Sequence, residues 1–259
     1  MGYGTGIGIR TAVVTGASSL RGIGYASALR FAQEGWAVAL VDRDGDGAEA
    51  AANAVRAEVA GAQLAVATVD VTDESSVQAF GETLHTNGLP PVGALANIAG
   101  IPSTAGFLQT SVAEWNRVLA VNLTGSFLMA RTLVPHMIEG GYGRVVNMSS
   151  VTAQHGGGVF SKTSYAAAKA GVLGLTRGMA RELAEQQITV NAVAPGAVET
   201  DIRAGATDEE TERRLSDSIP MKRQATPGEI AALVVWLSSE DAAYLTGTTQ
   251  NINGGSYIA

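Results

Sequence analysis

The chain contains no cysteine, so disulfide cross-links and thiolate chemistry are excluded, and the absence fits a reducing compartment. Lysine is nearly missing, with Lys162, Lys169 and Lys222 the only three. His85, His136 and His155 are scattered, which leaves no ligand set for zinc; no metal is expected. No long basic run occurs and the net charge is −7, arguing against nucleic acid and anionic membranes as partners. No apolar stretch approaches the roughly 20 residues needed to span a bilayer. The opening residues 1–10 are glycine-rich and lack the charged-then-apolar layout of a secretion signal. The expectation is a cytoplasmic protein with a flexible N-terminus over residues 1–9.

What is present is apolar and glycine-rich. Hydrophobic residues make up 46% of the 259 and charged ones 16%, ample for a buried core in one domain spanning 1–259. The 32 glycines sit singly, in pairs or, at 156–158, as a run of three, without a repeat. Short β-branched runs (Thr11–Thr15, Ala37–Val41, Leu64–Val69, Ala94–Asn97, Arg144–Met148, Thr189–Ala192, Thr249–Ile252) alternate with helical patterns. The helices are expected over Ile23–Glu34, Asp46–Val59, Glu74–Thr86, Val112–Ile138, Ser164–Glu185 and Pro227–Leu237. Short apolar strands separated by helices imply an α/β fold: a doubly wound parallel sheet of about seven strands, Rossmann-type, with helices on both faces. Residues 197–226 are rich in charge and lack strand signals, and read as a helical lid or loop on the substrate side, between the sixth strand and the helix starting near Pro227.

The first strand runs into Gly16-Ala17-Ser18-Ser19-Leu20-Arg21-Gly22-Ile23-Gly24. Glycines there allow a tight turn and close approach to a pyrophosphate, and the following helix offers unpaired N–H groups. Such a turn alone is weak; its place after the first strand of an α/β pattern strengthens it. Asp42 closes the second strand, where a carboxylate accepts from both ribose hydroxyls and repels a 2′-phosphate; the bland alternative is a surface turn. Arg21 and Arg43 are the two side chains able to meet a 2′-phosphate, yet NAD is expected in preference to NADP. Asp70, followed by Val71, is placed for the adenine amine or as a helix cap.

Tyr165 and Lys169 are four apart in Tyr-Ala-Ala-Ala-Lys, which puts both on one helical face. A tyrosine with an ordinary pKa of about 10 exchanges protons poorly near neutrality, and a neighbouring ammonium lowers that value. With so few tyrosines and lysines, chance yields well under one such pair.

Tyr165-xxx-Lys169, Asn147-Met148-Ser149-Ser150, Asn97-Ile98-Ala99-Gly100, Pro195-Gly196, Asn122 in Val-Asn-Leu-Thr-Gly and the closing Asn253-Gly254-Gly255 occur in the order of the short-chain dehydrogenase/reductases. The chain resembles that family from about Thr11 to Ser256. The resemblance implies that Tyr165 is the general acid/base, that Lys169 holds the nicotinamide ribose, and that Ser150 bonds the substrate oxygen. It further implies that Asn122 seats a water in a proton relay, and that Asn97, Ala99 and Gly100 shape the cofactor cleft. Val198 and Thr200, after Pro195 and Gly196, would bind the carboxamide. A homotetramer is implied as well, with Ala166, Ala170, Gly174 and Gly178 forming a smooth helical face.

Three departures stand out. Leu20 and Arg21 lengthen the glycine loop, and Ile98 stands where asparagine is frequent. The interval from Ser150 to Tyr165 is two residues longer than usual, which leaves Thr152 as a rival hydroxyl; Ser150 is preferred because it follows the strand directly. Gln154, His155, Phe160 and Ser161 should line the substrate wall with Ser150 and Tyr165. The expected activity is hydride transfer between NAD(H) and a secondary alcohol, polyol or sugar-derived hydroxyl or ketone. The alternative is an NADPH-dependent 3-oxoacyl-acyl-carrier-protein reductase, disfavoured by an acidic, lysine-poor chain and by Pro135 and His136 where a basic residue would be expected. A non-catalytic cofactor sensor is disfavoured because all four catalytic positions are filled.

Overall fold

The computed structural model describes residues 8–84, 86, 88–158, 161–203 and 208–258. Seven parallel strands form one sheet in the order β3-β2-β1-β4-β5-β6-β7, with β1 Thr11–Thr15, β2 Ala37–Asp42, β3 Leu64–Thr68, β4 Val92–Asn97, β5 Gly143–Met148, β6 Ile188–Pro195 and β7 Thr249–Ile252. The helices are α1 Ile23–Gln33, α2 Gly45–Glu58, α3 Glu74–Thr83, α4 Val112–Leu119, α5 Gly125–Glu139, α6 Thr152–His155, α7 Thr163–Leu183, α8 Glu209–Ser218 and α9 Pro227–Leu237. This is the doubly wound architecture expected.

Alternation along each strand divides the core in two. On β1, Ala12 and Val14 pack with Phe31 of α1, Val55 of α2 and Ile230 of α9 on one face. Val13 faces the other way, toward Phe80 of α3 and Leu133 of α5. All these residues are buried, so β1 is covered on both sides as a central parallel strand must be. The order reverses between β1 and β4, and the crevice beyond their carboxyl ends is where such sheets bind ligands.

The structure corrects two readings and makes the lid specific, and α6 is a helix that was not expected. The helix over 112–138 is not one regular α-helix: residues Ala120–Thr124 form a π-helical turn between α4 and α5. Taken together, Val112–Glu139 is long and apolar enough by composition to cross a membrane, which corrects the reading that no stretch qualifies. Half of its apolar window is buried in the protein, with α5 lying on β4 and β5 and against α3. The lid region contains α8, which has no buried residue, and a 3-10 turn at Asp201–Arg203. Residues 204–207 and 1–7 lie outside the described residues.

Candidate active site

The turn after β1 is held by glycines because other atoms occupy the space of a side chain. A Cβ at Gly16 would lie 2.9 Å from the Ala99 backbone, and one at Gly24 2.0 Å from the Gly16 carbonyl. Gly16 also has φ +70°, a left-handed conformation that favours glycine. The Thr15 hydroxyl accepts from the Ile98 and Ala99 N–H groups, both at 3.0 Å, clamping the end of β1 to the loop after β4. Gly22 caps α1 without a side-chain bond, whereas Asp44, Asp73, Asp208 and Thr226 cap α2, α3, α8 and α9. The α1 N-terminus, with Gly22, Ile23 and Gly24 on the cavity wall, thus keeps the unpaired donors and dipole that fit a pyrophosphate.

At the end of β2 the two Asp42 oxygens accept from Ser18 N–H and Asp44 N–H, each at 3.1 Å, fixing the carboxylate at the cavity edge. Asp70 is both turn former and wall residue. Its carboxylate accepts from the Thr72 hydroxyl at 2.7 Å and the Thr72 N–H at 2.8 Å, bonds that hold its pKa below the ordinary value, with Arg43 adding to the effect. The cap of α3 is Asp73, so the cap reading for Asp70 is wrong.

The cavity, of about 820 Å³, runs from these residues across the sheet's carboxyl edge. Gly16, Ser18, Asp42, Arg43, Asp70, Val71, Ala99, Gly100, Ser150, His155, Ser161, Tyr165, Lys169, Pro195, Gly196, Val198 and Thr200 line it as well as the helix start. Four candidates stand elsewhere. Asn97 lies one layer beneath, its amide donating to Asn147 at 2.9 Å and to the Ser126 carbonyl at 3.2 Å. Gln154 donates to Asn251 of β7 at 2.8 Å. Arg21 pairs with Asp201 at the mouth. Asn122 is fully buried in the π-helical turn. Phe160 lies outside the described residues.

At the far end, burial pushes the Tyr165 phenol up to about 12, and a hydrogen bond with the Ser150 hydroxyl works against that rise. Thr152 also lines the cavity, but its hydroxyl is engaged by Ser161 at 3.0 Å, while its N–H donates to the Ser150 hydroxyl at 3.1 Å. Lys169 is 3% exposed, and its ammonium donates to the Met148 carbonyl at 2.7 Å. Burial lowers its pKa to about 8. The expectation that Lys169 depresses the tyrosine is not met in the protein alone. Its Nζ sits 5.6 Å from the centre of the Tyr165 ring, and loss of water around the phenol dominates.

The Asn122 amide donates to the Val118 carbonyl at 2.9 Å and the Ile101 carbonyl at 3.0 Å, filling the gap in the helical ladder. Its Oδ1 has no partner among the described residues. A Cβ at Gly100 would lie 2.7 Å from that oxygen and 3.4 Å from Lys169 Nζ, so the glycine keeps a small polar space between them.

Several residues were missed. Met148 contributes through its backbone, which side-chain patterns do not report. Asp201 and Ser19 meet across 182 positions with no local signal. Ile202 and Leu215 line the cavity from the lid, and two apolar residues in a charged segment were the available clue.

Comparison with known proteins agrees with this geometry. A family model described as "Enoyl-(Acyl carrier protein) reductase" (adh_short_C2) matches residues 16–257. An uncharacterized short-chain type dehydrogenase/reductase of Sinorhizobium fredii is 40% identical over 96% of this chain and 98% of its own length. The acetoacetyl-CoA reductase of Rhizobium meliloti is 39% identical over 96% and 99%, and the 3-oxoacyl-acyl-carrier-protein reductase of Aquifex aeolicus 37% over 96% and 97%. The chain belongs to the short-chain dehydrogenase/reductase family and is an NAD(P)-dependent oxidoreductase.

Proposed function

We propose that this enzyme moves hydride between NAD(H) and a small secondary alcohol, polyol or sugar-derived hydroxyl, or the matching ketone. The observation that carries the reading is the meeting of the Ser150 and Tyr165 hydroxyls on the cavity wall. Two hydroxyls aimed at one place suit a single substrate oxygen that is an alcohol in one direction and a carbonyl in the other.

The bound nicotinamide ring supplies or accepts the hydride. In oxidation the substrate hydroxyl proton passes to Tyr165 Oη while Ser150 holds the oxygen; reduction reverses the transfer. Lys169, with its Nζ 5.6 Å from the Tyr165 ring centre, would hold the nicotinamide ribose. The orphaned Asn122 Oδ1 and Lys169 Nζ flank a polar space suited to a water that relays the proton onward. Asp42 favours NAD, because a 2′-phosphate there would meet a fixed carboxylate. The pairing of Arg21 with Asp201 draws one of the two candidate phosphate ligands away from the ribose.

The second reading, reduction of a 3-oxoacyl thioester with NADPH, is favoured by the names of two relatives. Against a carrier protein of acidic surface stand the chain's charge of −7 and the carboxylates of Asp208, Glu209, Glu210 and Glu212 at the start of α8. Initial rates with a panel of secondary alcohols and polyols plus NAD, against acetoacetyl-CoA plus NADPH, decide the matter. Faster turnover of acetoacetyl-CoA with NADPH would overturn the first reading.

A further inference from the structure

The two residues that lengthen the glycine loop are absorbed into a turn. The Ser19 carbonyl accepts from the Gly22 N–H at 2.9 Å, so the chain re-enters α1 in register and Arg21 is thrown outward, its side chain 72% exposed. Opposite, Asp201 follows directly on Thr200 and opens the 3-10 turn at the root of the lid. Both arms of the loop reach it. The Ser19 hydroxyl donates to one Asp201 oxygen at 2.9 Å, and Arg21 Nε lies 3.2 Å from the other. Ser19, Thr200 and Asp201 all line the cavity. The bridge therefore runs from the pyrophosphate-side loop to the segment expected over the nicotinamide, across the groove between them.

We propose that Asp201 is a positioning residue for the dinucleotide: held by Ser19 and Arg21, it straps the segment carrying Thr200 to the glycine loop, and this strap opens before the nucleotide leaves. The inference rests on the reading of the cavity as the nicotinamide nucleotide site. An exposed ion pair has a modest effect, and salt screens it, so the strap retards release without locking the site. Ser19 is an uncharged donor to the carboxylate, so the ion pair that salt screens is the one made by Arg21.

The test is NADH release from the intact protein, followed by stopped-flow fluorescence, with NADPH used instead if it binds more tightly. Raising salt from about 0.01 M to about 1 M shrinks the Debye length from roughly 30 Å to roughly 3 Å and should speed release about two- to fivefold. Asp201→Asn and Arg21→Gln should release faster at low salt and lose most of the salt response. Combining Arg21→Asp with Asp201→Arg should restore slow, salt-sensitive release. Arg213→Gln is the control, because the partner of Arg213 is Asp217 on the same helix, and its release should match the unaltered protein. Salt-insensitive release, a reversed pair no slower than either single variant, or an equal effect of Arg213→Gln would overturn the strap alone. A protein binding neither nucleotide would overturn the site reading and the strap together.

Discussion

The Lys169 ammonium donates to the Met148 carbonyl at 2.7 Å, and no carboxylate among the described residues pairs with it. A buried cation without a counter-ion is costly, and burial accordingly lowers its pKa from 10.5 to about 8. In that window the unfolded chain holds a proton that the folded protein has lost. Folded-state stability should therefore rise as pH climbs from about 8 toward 10.5, the sign opposite to that of a lysine gaining a partner. Lys169→Met should flatten this rise and stabilise the cofactor-free protein at neutral pH by about 1–3 kcal/mol, the shift offset by the unpaired Met148 carbonyl. Denaturant midpoints across that pH range check it; an unchanged slope would sink the account.

Tyr165→Phe deletes one hydroxyl and should leave folding and nucleotide binding intact. Loss of a positioned acid/base should lower turnover by roughly 10²–10⁴. Retention of more than about a tenth of turnover on the true substrate would rule the mechanism out.

Ser150→Ala should reduce turnover more than Thr152→Ala, because Ser150 meets Tyr165 while Thr152 is occupied by Ser161. Ser150→Ala also removes the one bond opposing the raised tyrosine pKa, so the pH at which oxidation becomes fast should move upward. Turnover against pH for both variants separates the two hydroxyls.

NAD should exceed NADP by at least about tenfold in kcat/KM, a difference of about 1.4 kcal/mol. Asp42→Ala should narrow the gap, since it removes the charge and leaves Arg43 beside the ribose end of the cavity. A wild-type enzyme faster on NADP would refute the preference.

A Cβ at Gly174 or Gly178 of α7 would meet nothing within 4 Å, and Phe127 of α5 is 42% exposed, so these faces are open to a second copy. A homotetramer is expected by light scattering at micromolar concentration. Gly174→Glu should shift it toward smaller species; a lone 26.5 kDa monomer in the unaltered protein would contradict the assembly.

The seven strands, the glycine turn and the Tyr165/Lys169 face were legible because each is written in neighbouring residues. Apolar runs bounded by turn formers give strands, and a spacing of four gives one helical side. The π-helical turn at 120–124 was not legible. Hydrophobic periodicity does not report one extra residue in the ladder, and here a side chain, Asn122, supplies the missing bond to Val118. For residues 197–226 the pattern offered a helical lid or loop, and the structure places α8 there with no fully buried residue and with Leu215 turned to the cavity.

By itself, then, the sequence determined the order of elements and which residue types stand ready at the carboxyl ends of the strands. Tertiary structure alone decided that Ser150 rather than Thr152 meets the tyrosine, that Asn97 sits beneath the cavity, and that Arg21 turns to Asp201. It also decided that burial raises the pKa of Tyr165 and lowers that of Lys169 in the cofactor-free protein. Those outcomes depend on distance and on exclusion of water between groups as much as 182 positions apart, and neither quantity exists until the chain has folded.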